Sequence, residues 1–106
     1  MKAFILLLMF ALPDMADDVK LEWDANPVSD EVVEYRLYSS TNVSIPINQW
    51  TYLESASETN ITINIIPGQW YFYVTASNFW GESGPSNTAH TPTVISNAVN
   101  LLIERL

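Results

Sequence analysis

One histidine, no cysteine and twelve acidic residues are the whole inventory from which this chain could build a reactive centre. Nucleophilic catalysis of the Ser-His-Asp kind needs an imidazole to take the serine proton and a carboxylate to orient that imidazole. His90 is the one candidate base. It stands in the polar run Ser86-Asn87-Thr88-Ala89-His90-Thr91, which reads as an exposed strand. Thiol catalysis, zinc–thiolate centres and a disulfide framework all require cysteine. The acids gather early, as Asp17, Asp18, Glu22, Asp24, Asp30, Glu31 and Glu34. Calcium needs several oxygens converging on one point at a loop spacing that is not found here, so Asp24, Asp30 and Glu31 read as solvated surface. Paired-carboxylate glycoside hydrolysis needs a cleft with a second constellation behind it, and none is indicated. The expectation is a protein that is not an enzyme, with no catalytic residue, no metal ligands and no cofactor.

The residues that do point to a task are aromatic. Phe79 and Trp80 interrupt a stretch otherwise made of Asn, Gly, Ser, Glu and Pro, Asn78 to Pro85. Aromatics at a loop tip are contact residues for proteins or for sugars, or else one folds back and covers the end of the domain. Trp50 and Tyr52 offer a second such surface. Asn42-Val43-Ser44 and Asn60-Ile61-Thr62 match the glycosylation acceptor pattern, which is short and common by chance.

The elements that position these residues must fit in 106 residues, room for one domain. The chain is 48% apolar and only 15% charged, which sets it apart from disordered tails. Four basic residues against twelve acidic ones give a formal charge of −8, the wrong sign for phosphate contacts, so nucleic acid is not an expected partner. Lys2 is followed by the apolar run Phe4 to Leu12. A membrane helix needs about 20 apolar residues, so no stable transmembrane span is expected. A secretory signal peptide needs only about 7–15. Residues 1–16 therefore read as a signal peptide cut after Ala16, or as a retained apolar segment.

From Asp17 onward the pattern alternates with period two. Val19-Lys20-Leu21-Glu22-Trp23 places Val19, Leu21 and Trp23 on one face. Val33 to Tyr38 places Val33, Tyr35 and Leu37 together. Trp50 to Leu53 is a short strand. Thr59 to Ile65 sends its isoleucines one way. Trp70 to Ala76 is aromatic on both faces, as a central strand with cover on each side would be. Pro27 and Pro67-Gly68 supply stops and turns.

Leu21-Glu22-Trp23-Asp24, Tyr35-Arg36-Leu37-Tyr38, Val74-Thr75-Ala76-Ser77-Asn78 and Gly81-Glu82-Ser83-Gly84-Pro85-Ser86-Asn87 follow one another in the order and near the spacing of fibronectin type III landmarks. The chain resembles that family over about residues 19–92, most of all its bacterial and phage forms, in which a signal peptide runs almost directly into the strand that carries the tryptophan. The resemblance implies an all-β, immunoglobulin-like antiparallel two-sheet β-sandwich over residues 17–93. Its core would hold Trp23, Tyr35, Leu37, Ile61, Ile63, Phe72, Val74 and Ala76.

The chain departs from the family's pattern in three ways. The family's corner tyrosine near the start of its sixth strand falls on Trp70 or Tyr71, depending on the direction of counting. A first strand ahead of Val19 is missing if residues 1–16 are removed, which would leave an edge open along Val19–Trp23. Residues 94–106 extend past the domain. In that extension Val99, Leu101, Leu102 and Ile103 read as an assembly strand, pairing in cis or in trans. A short amphipathic helix with Ile95, Ala98, Val99, Leu102 and Leu106 on one face is the alternative.

The expected function is a structural or adhesive module making protein–protein contacts, as a homo-oligomer or within a larger secreted, cell-envelope or virion assembly. The alternative is a carbohydrate-binding module that uses Phe79 and Trp80.

Overall fold

The structure, a computed structural model, describes residues 4–9 and 17–91, with side chains from Asp18 onward. Its strands are β1 (Phe4–Met9), β2 (Asp17–Asp24), β3 (Glu34–Ser40), β4 (Thr51–Ala56), β5 (Asn60–Ile65), β6 (Tyr71–Asn78), β7 (Gly81–Glu82) and β8 (Ala89–His90). Two antiparallel sheets result. One has the order β1-β2-β5. In the other β4, β3 and β6 lie side by side, and β7 and β8 both pair with β6. This is the all-β sandwich that the alternation calls for.

Period two decides which residues enter the core. Along β5 the isoleucines Ile61, Ile63 and Ile65 are buried while Asn60, Thr62 and Asn64 are exposed. Val19, Leu21 and Trp23 of β2 meet Tyr35 and Leu37 of β3 and Phe72, Val74 and Ala76 of β6. All eight expected core residues are in this cluster, joined by Val19, Leu21, Ile65 and Ala89. Trp23 and Tyr35 pack edge to face at 5.4 Å. Val33 is not part of it: it precedes β3 and is two-thirds exposed.

Two expectations concern the ends of the domain. With residues 4–9 in place the edge along Val19–Trp23 is not open. β1 pairs with β2 in continuous register, from Phe4↔Asp24 to Met9↔Val19, and so occupies the place of the missing first strand. The backbone of β1 also approaches β6 and β8 of the second sheet. Val99, Leu101, Leu102 and Ile103 lie outside the described residues.

The corner before β6 is made by Trp70, whose indole N–H donates to the Ile66 carbonyl at 3.0 Å. Tyr71 instead packs beside His90. Gly68, at φ +149°, makes the turn that lets the indole reach back. His90 is exposed, and its Nδ1 lies 2.6 Å from the Thr91 carbonyl oxygen.

The polar last strand expected over Ser86 to Thr91 is reduced to β8, β7 forms inside the expected loop, and serines bridge the gap between the two. Gly84 and Pro85 interrupt the ladder along β6. There the Ala76 N–H donates to Ser83 Oγ at 2.8 Å and the Val74 N–H donates to Ser86 Oγ at 3.0 Å. The Ser83 and Ser86 N–H groups in turn donate to the Ala76 and Val74 carbonyls. Hydroxyls thus stand in for carbonyls that the kinked strand cannot present.

Replacing Leu21 by alanine empties a fully buried position. It is expected to cost about 2–5 kcal/mol in urea-induced unfolding. Ser86→Ala removes the acceptor of a buried amide and is expected to cost about 1–3 kcal/mol in the same measurement.

Candidate contact surface at the loop end

Phe79 and Trp80 are the two residues between Asn78 and Gly81, which pair at the end of the β6–β7 hairpin. Gly81 takes the positive φ, +142°, that closes so short a connection. Phe79 is 86% exposed and Trp80 82%, with their rings edge to face at 5.2 Å. The alternative in which one folds back over the sandwich is not what the structure contains. The Trp80 N–H donates to Asn78 Oδ1 at 2.8 Å, which fixes the start of the turn.

The neighbouring β2–β3 loop is locked to the same end. The Val33 N–H donates to the Ser77 carbonyl at 2.7 Å, and Asn78 Nδ2 donates to the Asp30 carbonyl at 2.8 Å. The Asn26 N–H of this loop donates to the Tyr35 hydroxyl of β3, and Glu31 adopts a left-handed backbone at φ 51°. This loop adds Val28, 94% exposed, and Val33. Four large apolar side chains at one end thus stand in solvent on loops that are themselves hydrogen-bonded in place.

Glu82 anchors the hairpin. Its carboxylate accepts hydrogen bonds from Thr75 Oγ1 and Tyr38 Oη, both at 2.5 Å, and from Arg36 Nη1 at 3.2 Å. Partial burial pushes its pKa up, but the hydrogen bonds from Thr75 and Tyr38 and the Arg36 charge outweigh this, so the net shift is downward. Tyr38 is pushed up to about 12, first by burial and then by its bond to the Glu82 carboxylate and that group's charge. These three partners lie on β3 and β6, so the grip on Glu82 ties β7, and the aromatic tip beside it, to the centre of the sheet.

Trp50 and Tyr52 do not form one exposed surface. Trp50 is only 7% exposed: it packs on Tyr73 at 5.2 Å and donates its indole N–H to the Ile45 carbonyl. Tyr52 is half exposed and tilts against Tyr38, which stacks on Tyr73 at 4.8 Å. The outer face of β3 and β6 is therefore an aromatic layer covered by the segment that carries Trp50. Sequence pattern missed Glu82 and Val28: a lone acid and a lone valine in turns carry no periodic signal. Among the described residues no group of three or more His, Asp or Glu side chains is placed to hold a metal ion.

No family model matches the chain, and no curated protein matches it. Solved structures do. FN3tt is 14% identical, with a TM-score of 0.61 over 85% of this chain and 90% of that one. A Fn3-like protein from Clostridium thermocellum is 23% identical, with a TM-score of 0.57 over 74% and 80%. The fibronectin type III domain of human fibronectin type III domain containing protein 3 is 18% identical, with a TM-score of 0.61 over 85% and 82%. The structural neighbours are fibronectin type III domains, and the chain has their fold.

The folded Glu82 carboxyl titrates below its unfolded counterpart. Its stabilisation is therefore complete above the ordinary value near 4.5 and is lost as pH falls through the lower folded value. Glu82→Gln is expected to flatten that acid limb in unfolding curves. For Tyr38 the sign is reversed: its contribution is complete below the ordinary value of 10.0 and is lost as pH rises towards about 12. Tyr38→Phe is expected to flatten the alkaline limb.

Proposed function

We propose that this domain is a non-catalytic structural module that binds a protein partner through the Val28, Val33, Phe79 and Trp80 end, within a larger surface assembly. The observation that carries the proposal is the pair of exposed aromatics on a hairpin anchored through Glu82. Exposed aromatic side chains lose water on contact, and a pre-ordered turn leaves little entropy to be lost on binding. The fibronectin type III fold supports a structural or interaction role, while the particular partner belongs to the site and not to the fold. Edge-to-face rings at 85° make a wedge and not a flat platform, which favours a protein pocket over the glycan alternative.

The test is co-purification from the natural source with wild-type chain and with the double variant Phe79→Ser, Trp80→Ser. The variant is expected to unfold at the same urea concentration and to lose at least about tenfold in captured partner, the equivalent of about 1.4 kcal/mol. Undiminished capture overturns the proposal. Glycan binding that Trp80→Ala abolishes favours the carbohydrate reading.

Export to the cell surface, the envelope or a virion is the second part of the proposal, and it rests on Lys2 and the apolar run that follows. Mass spectrometry of the natural protein tests it. A start at Asp17 supports export and takes β1 away from the β2 edge. A start at Met1 overturns removal of a leader and leaves the contact module intact.

A further inference from the structure

β5 ends the first sheet on the side away from β1, and among the described residues it pairs only with β2. In that ladder the Trp23 N–H donates to the Thr59 carbonyl at 3.0 Å. Backbone groups alternate in direction along an antiparallel strand, so Ile61, Ile63 and Ile65 turn theirs to β2. Asn60, Thr62 and Asn64 turn theirs outward, to an edge that no described strand fills. This holds whether the chain starts at Met1 or at Asp17, because β1 lies on the far side of β2.

A free edge recruits other strands unless something blunts it. The second sheet is blunted on both sides. β4 carries Glu54 and a register shift in its pairing with β3, and β7 and β8 are two residues each. β5 runs for six residues, Asn60-Ile61-Thr62-Ile63-Asn64-Ile65, with no charge, no proline and no break in register. A formal charge of −8 sets most surfaces of this chain against a second copy, and β5 contributes nothing to it. Beside β5 the exposed Leu53 and Ile66 line an apolar groove of about 500 Å³ with Ile63, Ile65 and Trp70.

The order of the residues indicates the occupant. Asn60-Ile61-Thr62-Ile63-Asn64 reads the same in both directions. A two-fold interface must be self-complementary, and an antiparallel pair centred on Thr62 is. Thr62 then faces Thr62 of the second copy, Asn60 faces Asn64, and Ile61 faces Ile63. Asn60, Thr62 and Asn64 each exchange both backbone hydrogen bonds with the residue opposite. A slip of one residue sets Asn and Thr against Ile and loses the match of faces.

We propose that β5 pairs antiparallel with β5 of a second copy of this chain, about a two-fold axis at Thr62. Thr62 is exposed and stands opposite Lys20 of β2. Thr62→Glu therefore gains an opposite charge within its own domain but brings two carboxylates face to face across the axis. In sedimentation equilibrium the full wild-type chain is expected to pass from monomer to dimer as concentration rises. Thr62→Glu and Thr62→Lys are each expected to weaken the dimer at least about tenfold, with folding checked by urea titration. An equimolar mixture of the two variants is expected to restore a one-to-one dimer, because position 62 faces position 62. Should either variant fail to fold, Asn60→Glu mixed with Asn64→Lys is expected to pair more tightly than either alone. A wild-type chain still monomeric at about 1 mM, a dimer that survives Thr62→Glu, or a mixture no tighter than its components overturns the proposal.

Discussion

A single layer of side chains between two sheets holds this domain together, with no disulfide to share the load. Phe72, Leu21, Leu37, Val19 and Val74 are its largest fully buried members. Burial of such side chains contributes about 1.5–3 kcal/mol each, set against the conformational entropy of every ordered residue. The margin is small in a sandwich of this size, which is why the surrounding polar details matter. Serine hydroxyls complete the ladder along β6, and the Trp70 indole holds the corner before it.

The same core sets up the contact surface. β3 and β6 lie at the centre of their sheet, and their outward faces carry Tyr38, Arg36 and Thr75 as the grip on Glu82. The hairpin beyond Glu82 inherits that order, so Phe79 and Trp80 are presented on a fixed support. The β2–β3 loop is drawn alongside by bonds to Ser77 and Asn78. The exposed ion pairs of Arg36 contribute little by themselves. Their role is geometric, in fixing where the hairpin stands.

Most of the framework was legible because alternation is a local property. Ile61, Ile63 and Ile65 declare one face of one strand whatever that strand pairs with, and Trp23, Tyr35, Leu37, Phe72, Val74 and Ala76 do the same. Trp50 was misjudged because exposure is not local. Its neighbours are polar, but Tyr73, distant in sequence, covers it. Phe4–Met9 shows the same limit from the other side. An apolar run with a basic start reads identically as a leader or as a buried strand, and only its register with β2 distinguishes a pairing partner. The last strand, read as Ser86 to Thr91, is paired only at Ala89–His90, and nothing in the pattern marked Gly81–Glu82, inside the expected loop, as a strand.

By itself, then, the sequence determined the fold class, the core faces and the poverty of catalytic groups, since each follows from residue type and short-range period. Tertiary structure decided what no local window contains. It paired β1 with β2, buried Trp50, recruited Glu82 to Tyr38, Thr75 and Arg36, and left the groove between β4 and β5 uncovered by any described residue. Each of these depends on which strands become neighbours, and that choice is made by the burial of the whole core at once and not by any one strand.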